Sequence, residues 1–180
     1  TLWANATAGS VHGTALAAIN NAALVFSAKK DIRFTDLALD ISDATFRAGG
    51  EINILKLTVK DGSTADFIAD YDIVMDELWV IDDITTLVNG NIDTWLNLFA
   101  GDDVRVNVLA SIRGGETTLK SGSYPIPAGI YTDDEIADYV RNDVLIKELT
   151  SASAVLDILA GRAGTSGLTG KIQIIDNVTS

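Results

Sequence analysis

The clearest alternation of apolar and polar positions lies in residues 44–75. Phe67, Ala69, Tyr71, Ile73 and Met75 fall on one face, and Asp66, Asp70 and Asp72 on the other. That is the period-two pattern of a strand buried on one side. Upstream, Leu55, Leu57 and Val59 alternate with Lys56, Thr58 and Lys60, whereas Ile52 and Ile54 sit one residue out of phase. The slip predicts a bulge near Ile54 or Leu55. Asp61-Gly62-Ser63-Thr64 separates the two arms with residues that accept positive φ, so the segment predicts a β-hairpin launched from the glycines at 49 and 50.

The pattern weakens away from this segment. Residues 1–11 alternate Leu2, Ala4, Ala6 and Ala8 with Trp3, Asn5, Thr7 and Gly9, and carry no charged side chain. Alanines and Leu16 favour a short helix through Ala18, and Leu24-Val25-Phe26 a strand. Ile32 and Phe34, then Leu37, Leu39 and Ile41, slip phase around Thr35-Asp36, which predicts two strands or one bulged strand. Leu78 to Ile81 reads as a short buried strand. Ile84, Leu87, Val88, Ile92, Trp95, Leu96 and Phe99 then recur every three or four residues, the stripe of a helix, split at Asn89-Gly90. Val104, Val106, Val108, Ala110 and Ile112 alternate as a strand, and Gly114-Gly115 turn it into residues 116–120. Tyr124-Pro125-Ile126-Pro127 is unfit for a central strand. Thr132-Asp133-Asp134-Glu135 has the form of a capping box for a helix to about Asn142. A strand or helix over 144–149, a short helix over 153–160, a glycine-rich loop over 162–170 and a strand over 171–178 complete the prediction. No internal repeat or domain linker stands out. The expected fold is an all-β, jelly-roll-like sandwich with a few inserted helices, an N-terminal extension over 1–13 and a sandwich domain over 14–180.

Composition narrows the chemistry. The net charge of −12 leaves no electrostatic footprint for nucleic acid and repels anionic lipid. There is no cysteine, so thiolate catalysis and zinc–thiolate sites are closed. A lone His12 makes a poor transition-metal site and would have to serve any Ser-His-Asp triad without a supporting pattern. The glycine-rich segment 161–170 lacks the Gly-Lys-Ser ending of a phosphate loop. Asp82/Asp83, Asp102/Asp103 and Asp133/Asp134 are candidate calcium ligands, although capping and turn formation explain them without metal. The expectation is therefore no catalytic residue, no cofactor beyond possible calcium, no nucleic-acid partner and no membrane insertion. Sequons stand at Asn5 and Asn177. A start at Thr1 fits removal of a signal peptide or trimming of Met equally.

Phe46-Arg47-Ala48-Gly49-Gly50-Glu51, followed by Leu57-Thr58-Val59-Lys60-Asp61-Gly62-Ser63, resembles the corner and turn pattern of the TasA/camelysin fibre subunits and the archaeal bundling pilins related to them. Ala48 stands where that pattern has proline, and the turn is one residue tighter. The resemblance covers about residues 37–74. It implies an extracellular, cell-surface filament, a helical homopolymer whose N-terminal strand enters the neighbouring subunit's sandwich. On that reading Leu2, Trp3, Ala4, Ala6, Ala8 and Val11 form the subunit interface. Two other classes remain open: a virion tail-tube or decoration protein, and a calcium- or carbohydrate-binding β-module.

Overall fold

The computed structural model describes residues 1–81, 94–101, 104–112, 116–120, 144–152, 155–159 and 172–179. They form fourteen β-strands: β1 (Leu2–Ala6), β2 (Val11–Ile19), β3 (Ala23–Ala28), β4 (Ile32–Asp40), β5 (Asp43–Ala48), β6 (Ile52–Lys60), β7 (Thr64–Ala69), β8 (Ile73–Ile81), β9 (Trp95–Ala100), β10 (Val104–Ile112), β11 (Glu116–Lys120), β12 (Val144–Ala152), β13 (Val155–Leu159) and β14 (Ile172–Thr179). The odd strands make one seven-stranded sheet in the order β1-β3-β5-β7-β9-β11-β13. The even strands make the other, running from β2 to β14. The chain thus alternates between two sheets, and each turn, or rung, contributes one short and one long strand. This is a parallel β-solenoid.

The all-β expectation holds, but the connectivity differs from a jelly roll, whose neighbouring strands run antiparallel. Every described ladder here is parallel. The expected hairpin is not formed. Its first arm, β6, pairs with β4 and β8. Its second arm splits into β7 and β8, which lie in opposite sheets. Asp61 (φ 54°) and Gly62 (φ 80°) do take the positive dihedrals expected of them, but they turn a corner between sheets. Tyr71, expected on the apolar face, sits exposed at the opposite corner between β7 and β8.

No helix occurs among the described residues. The helical segments expected over 14–18, 95–99 and 155–159 are strands β2, β9 and β13. Tertiary pairing overrides local propensity in each, with ladder partners on both sides of β9 and on one side of β2 and β13. The helical stripe over 84–93, the helix over 132–142, the loop at 124–127 and the glycine-rich segment 162–170 lie outside the described residues.

An internal repeat is present after all. Partners in adjacent rungs are separated by 20 or 21 residues near the start of the chain. The repeat is a column rather than a motif. Leu16, Leu37, Leu57, Leu78, Leu109 and Leu149 stack in register. So do Ala4, Phe26, Phe46, Phe67, Leu98, Leu119 and Ile158. Within the second column the Phe46 and Phe67 rings stack with centroids 4.6 Å apart, and Phe26 stacks on Phe46 at 5.0 Å. Phe34 of the other sheet meets Phe26 and Phe46 edge-on at 5.5 and 6.0 Å, which locks the sheets together. Each such aromatic pair adds about 0.5–1.5 kcal/mol beyond the area it buries.

The predicted phase slips are real and stacked. In each long strand the ladder drops one pair, as between Phe34↔Ile54 and Asp36↔Lys56. Two consecutive residues therefore face outward, Thr35 with Asp36, Leu55 with Lys56, and Asp76 with Glu77. The bend lets Ile32 and Phe34 face the core together with Leu37 and Leu39. At the dropped position the Asn107 amide donates to Asp76 Oδ1 at 2.7 Å.

Buried hydroxyls satisfy the corners that lead from the long to the short strands. Ser42, Ser63 and Thr94 are buried there. Ser63 Oγ accepts from the Ser42 N–H at 3.1 Å and donates to the Lys60 carbonyl at 2.6 Å. Thr94 Oγ1 accepts from the Gly62 N–H at 2.9 Å. Backbone polar groups left over by the turns thus find partners in the following rung.

Candidate functional site

A parallel sheet that coils on itself has no side edges, only two ends. At the N-terminal end both sheets stop together, at β1 and β2, each with a partner on one side only among the described residues. All six residues expected at a subunit interface belong to this end. Leu2, Trp3, Ala4 and Ala6 lie in β1, paired in parallel with Leu24, Val25, Phe26 and Ala28 of the same chain. Ala8 lies in the bend that follows, and Val11 opens β2. Residue 13, the expected boundary of the extension, falls within β2.

The alternation read in residues 1–11 is reproduced over β1 and ends at the bend of residues 7–9. Leu2, Ala4 and Ala6 continue the inward columns of Leu24, Phe26 and Ala28, and Trp3 and Asn5 stand in the outward columns. Among the inward positions of this rung Leu2 is 46% exposed, Ala4, Ala6, Val11 and Leu16 are half-buried and Ala18 is buried, while the outward Trp3 and Ile19 are 71% and 56% exposed. The rung is also thin. Ala4 stands where the next three rungs have Phe26, Phe46 and Phe67, and Gly13 where they have Phe34, Ile54 and Met75. Phe34 makes use of the gap: a Cβ added at Gly13 would run into its ring, with Cδ1 at 2.6 Å.

Electrostatics sets the end apart as well. Residues 1–28 contain no Asp, Glu, Lys or Arg in a chain of net charge −12. The following rungs carry outward ion pairs. Lys60 lies 2.8 Å from Asp40 and 3.2 Å from Asp61, and these two carboxylates raise its pKa above the ordinary 10.5. Lys56 meets Glu77 at 4.0 Å. Edge strands are ordinarily protected by lysine, proline or inward charge, and terminal repeats of solenoids by a polar outer face. β1 and β2 have none of these.

The β2 half of this end was hidden in the sequence, where its alanines suggest a helix. The signal that finds it is columnar: Leu16 stands 21 residues before Leu37, as Ser10 stands 21 before Asp31.

A second feature lies at the corner leading into the long strands. A groove of about 300 Å³ is lined by Asp31, Arg33, Gly50, Glu51, Tyr71 and Asp72. Its charges are matched internally. Arg33 bridges Asp31 (3.2 Å) and Glu51 (3.7 Å), Arg105 holds Asp72 at 3.1 Å, and the Glu51 N–H donates to Asp31 Oδ1 at 3.2 Å. These bonds fix the corner. Among the described residues no group of three or more histidine, aspartate or glutamate side chains is placed to hold a metal ion. The acid pairs at 82/83, 102/103 and 133/134 lie outside the described residues. His12 lies exposed on β2, in register with Arg33.

Compared with protein-family models, curated proteins and solved structures, the chain matches none.

Proposed function

We propose that this chain is a structural subunit of an extracellular filament, a homopolymer joined end to end through its N-terminal rung. One observation carries the reading: both sheets end together at β1 and β2 among the described residues, and that rung carries none of the outward charges of the interior rungs. Open ladder donors and acceptors with no protecting charge are a template for strand addition. A head-to-tail contact does not close on itself, so it yields a fibre rather than a ring. The acidic flanks keep such fibres apart in solution.

The fibre subunits that residues 46–63 resemble also assemble by strand addition. Here the support comes from the charge-free first rung rather than a vacant groove. The test is electron microscopy of the purified full chain, with light scattering over a concentration series. The expected result is unbranched filaments and a mass that grows with concentration. A single monomeric species throughout would overturn the proposal.

A further inference from the structure

We infer that the outward face of the short-strand sheet is self-complementary, and that a second copy stacks on it about a two-fold axis parallel to the coil. The pairing is independent of the end-to-end joint and needs no end of the coil.

The face is flat and sparsely charged. Ladders among β3, β5, β7 and β9 run without a dropped pair, so the face lacks the bend of the long strands. Asp43, Thr64 and Trp95 form one outer column, and Arg47, Ile68 and Phe99 the other. Trp95 is 47% exposed although β9 has a strand on each side. An aromatic anchor among few charges is the composition of an interface core.

Arg47 supplies the second observation. It is exposed, and among the described residues no carboxylate lies within ion-pair distance of it. Arg33, Lys56, Lys60 and Arg105 of the long strands each meet one.

The two-fold axis answers both. Rotation about the coil direction keeps each rung opposite the same rung of the second copy and reverses its strands. Asp43 then faces the second copy's Arg47, Thr64 faces Ile68 and Trp95 faces Phe99. The guanidinium gains a carboxylate twice in each contact, and the aromatics gain each other. Between these columns Asp66, which accepts from the Asn97 amide at 2.8 Å, comes opposite itself. That like-charge contact is the weak point of the joint.

The size is sufficient. Seven strands about 4.8 Å apart and about 18 Å long give about 600 Å² on each copy and about 1,200 Å² in all, within the range of specific interfaces. The rotation leaves the coil direction unchanged, so the same contact joins two coils running the same way. The acidic flanks then hold pairs apart rather than single coils.

Sedimentation equilibrium of the purified full chain over a concentration series, with electron microscopy, tests the pairing. The parent forms dimers, or filaments two subunits wide. Arg47→Asp weakens the pairing about ten-fold, because two attractive contacts turn repulsive, and Asp43→Arg added to it restores the parent value. Asp66→Asn tightens it about two- to five-fold. Circular dichroism that matches the parent shows that each variant is folded. A loss that the double exchange does not restore, or no response to Arg47→Asp, overturns the pairing. Filaments one subunit wide overturn it and leave the end-to-end reading intact. Dimers that never lengthen support it and overturn the end-to-end reading. A monomeric parent overturns both, and one whose tryptophan emission shifts with a soluble glucan marks the face for a saccharide instead.

Discussion

The first rung and the three behind it are laid down on one register and filled differently. In the rungs of β3 to β8 the inward columns hold Phe26, Phe46, Phe67, Leu37, Leu57 and Leu78, all buried. The outward columns there carry paired charges such as Lys56 with Glu77. In the first rung the same columns hold Ala4 and a half-covered Leu16, and the outward ones no acid or base. The backbone repeats and the side chains do not. Stability in this molecule is therefore a property of neighbours, with each layer stabilised by the two that sandwich it. The first rung has one such neighbour among the described residues, with smaller inward side chains and no outward charge.

The sharpest way to break this comparison is to truncate one column at two heights. Leu57→Ala removes a fully buried side chain between two others and should cost about 3–5 kcal/mol in urea unfolding. Leu16→Ala at the open end of the column should cost about 1 kcal/mol. Equal losses would mean that the end rung is as tightly packed as the interior.

Glycines offer the next contrast. A Cβ at Gly101 would meet the Asp70 carbonyl of the preceding rung, whose carbon lies 2.7 Å away. A Cβ at Gly9 would meet nothing within 4 Å. Gly101→Ala should lower stability by about 2 kcal/mol through backbone displacement, and Gly9→Ala should be neutral within about 0.5 kcal/mol. Thermal melts of the two variants check the pair.

The smallest effect concerns the opposite corner. The first rung turns there on Asn20 and Asn21, at φ 56° and 61°, residues that tolerate the left-handed region. The second turns on Ile41 at φ 48°, a β-branched side chain that does not. Ile41→Asn should stabilise the chain by about 1 kcal/mol, read as a higher urea midpoint at unchanged slope. A lower midpoint would show that packing of the Ile41 side chain outweighs the strain.

What the sequence revealed, and what it hid, follow from the same geometry. Alternation along a strand reports which residues face in. On that basis residues 52–60, 64–69 and 104–112 are legible as strands, and the slips at Thr35-Asp36 and near Leu55 as real bends, but the same slip at Asn107 is not, and there Leu109 rather than Val108 is buried. Alternation does not report what a strand pairs with. Phe67 and Met75 face inward whether the chain folds back on itself or turns a corner into the opposite sheet, so the hairpin and the rung have the same signature. The repeat escaped notice because most columns conserve only size and polarity. Only the leucine column keeps one residue type through six rungs, and the longer segments after Ile81 and Lys120 spoil its spacing. At the interface, the charge-free alternation of residues 1–11 marked half of the exposed end. The other half, β2, is disguised by its alanines, which suit a helix locally and a thin terminal layer globally.

The corner side chains tie the coil in both directions. On the row of corners leading into the short strands, Ser63 Oγ serves the Ser42 N–H and Thr94 Oγ1 the Gly62 N–H, so each amide depends on the layer that comes later in the chain. On the row leading into the long strands, Ser10 Oγ serves the Asp31 N–H and Asp31 Oδ1 the Glu51 N–H, so each depends on the earlier layer. Removing a layer from either side thus strands a donor, and the two rows together act as a two-way ratchet against unravelling.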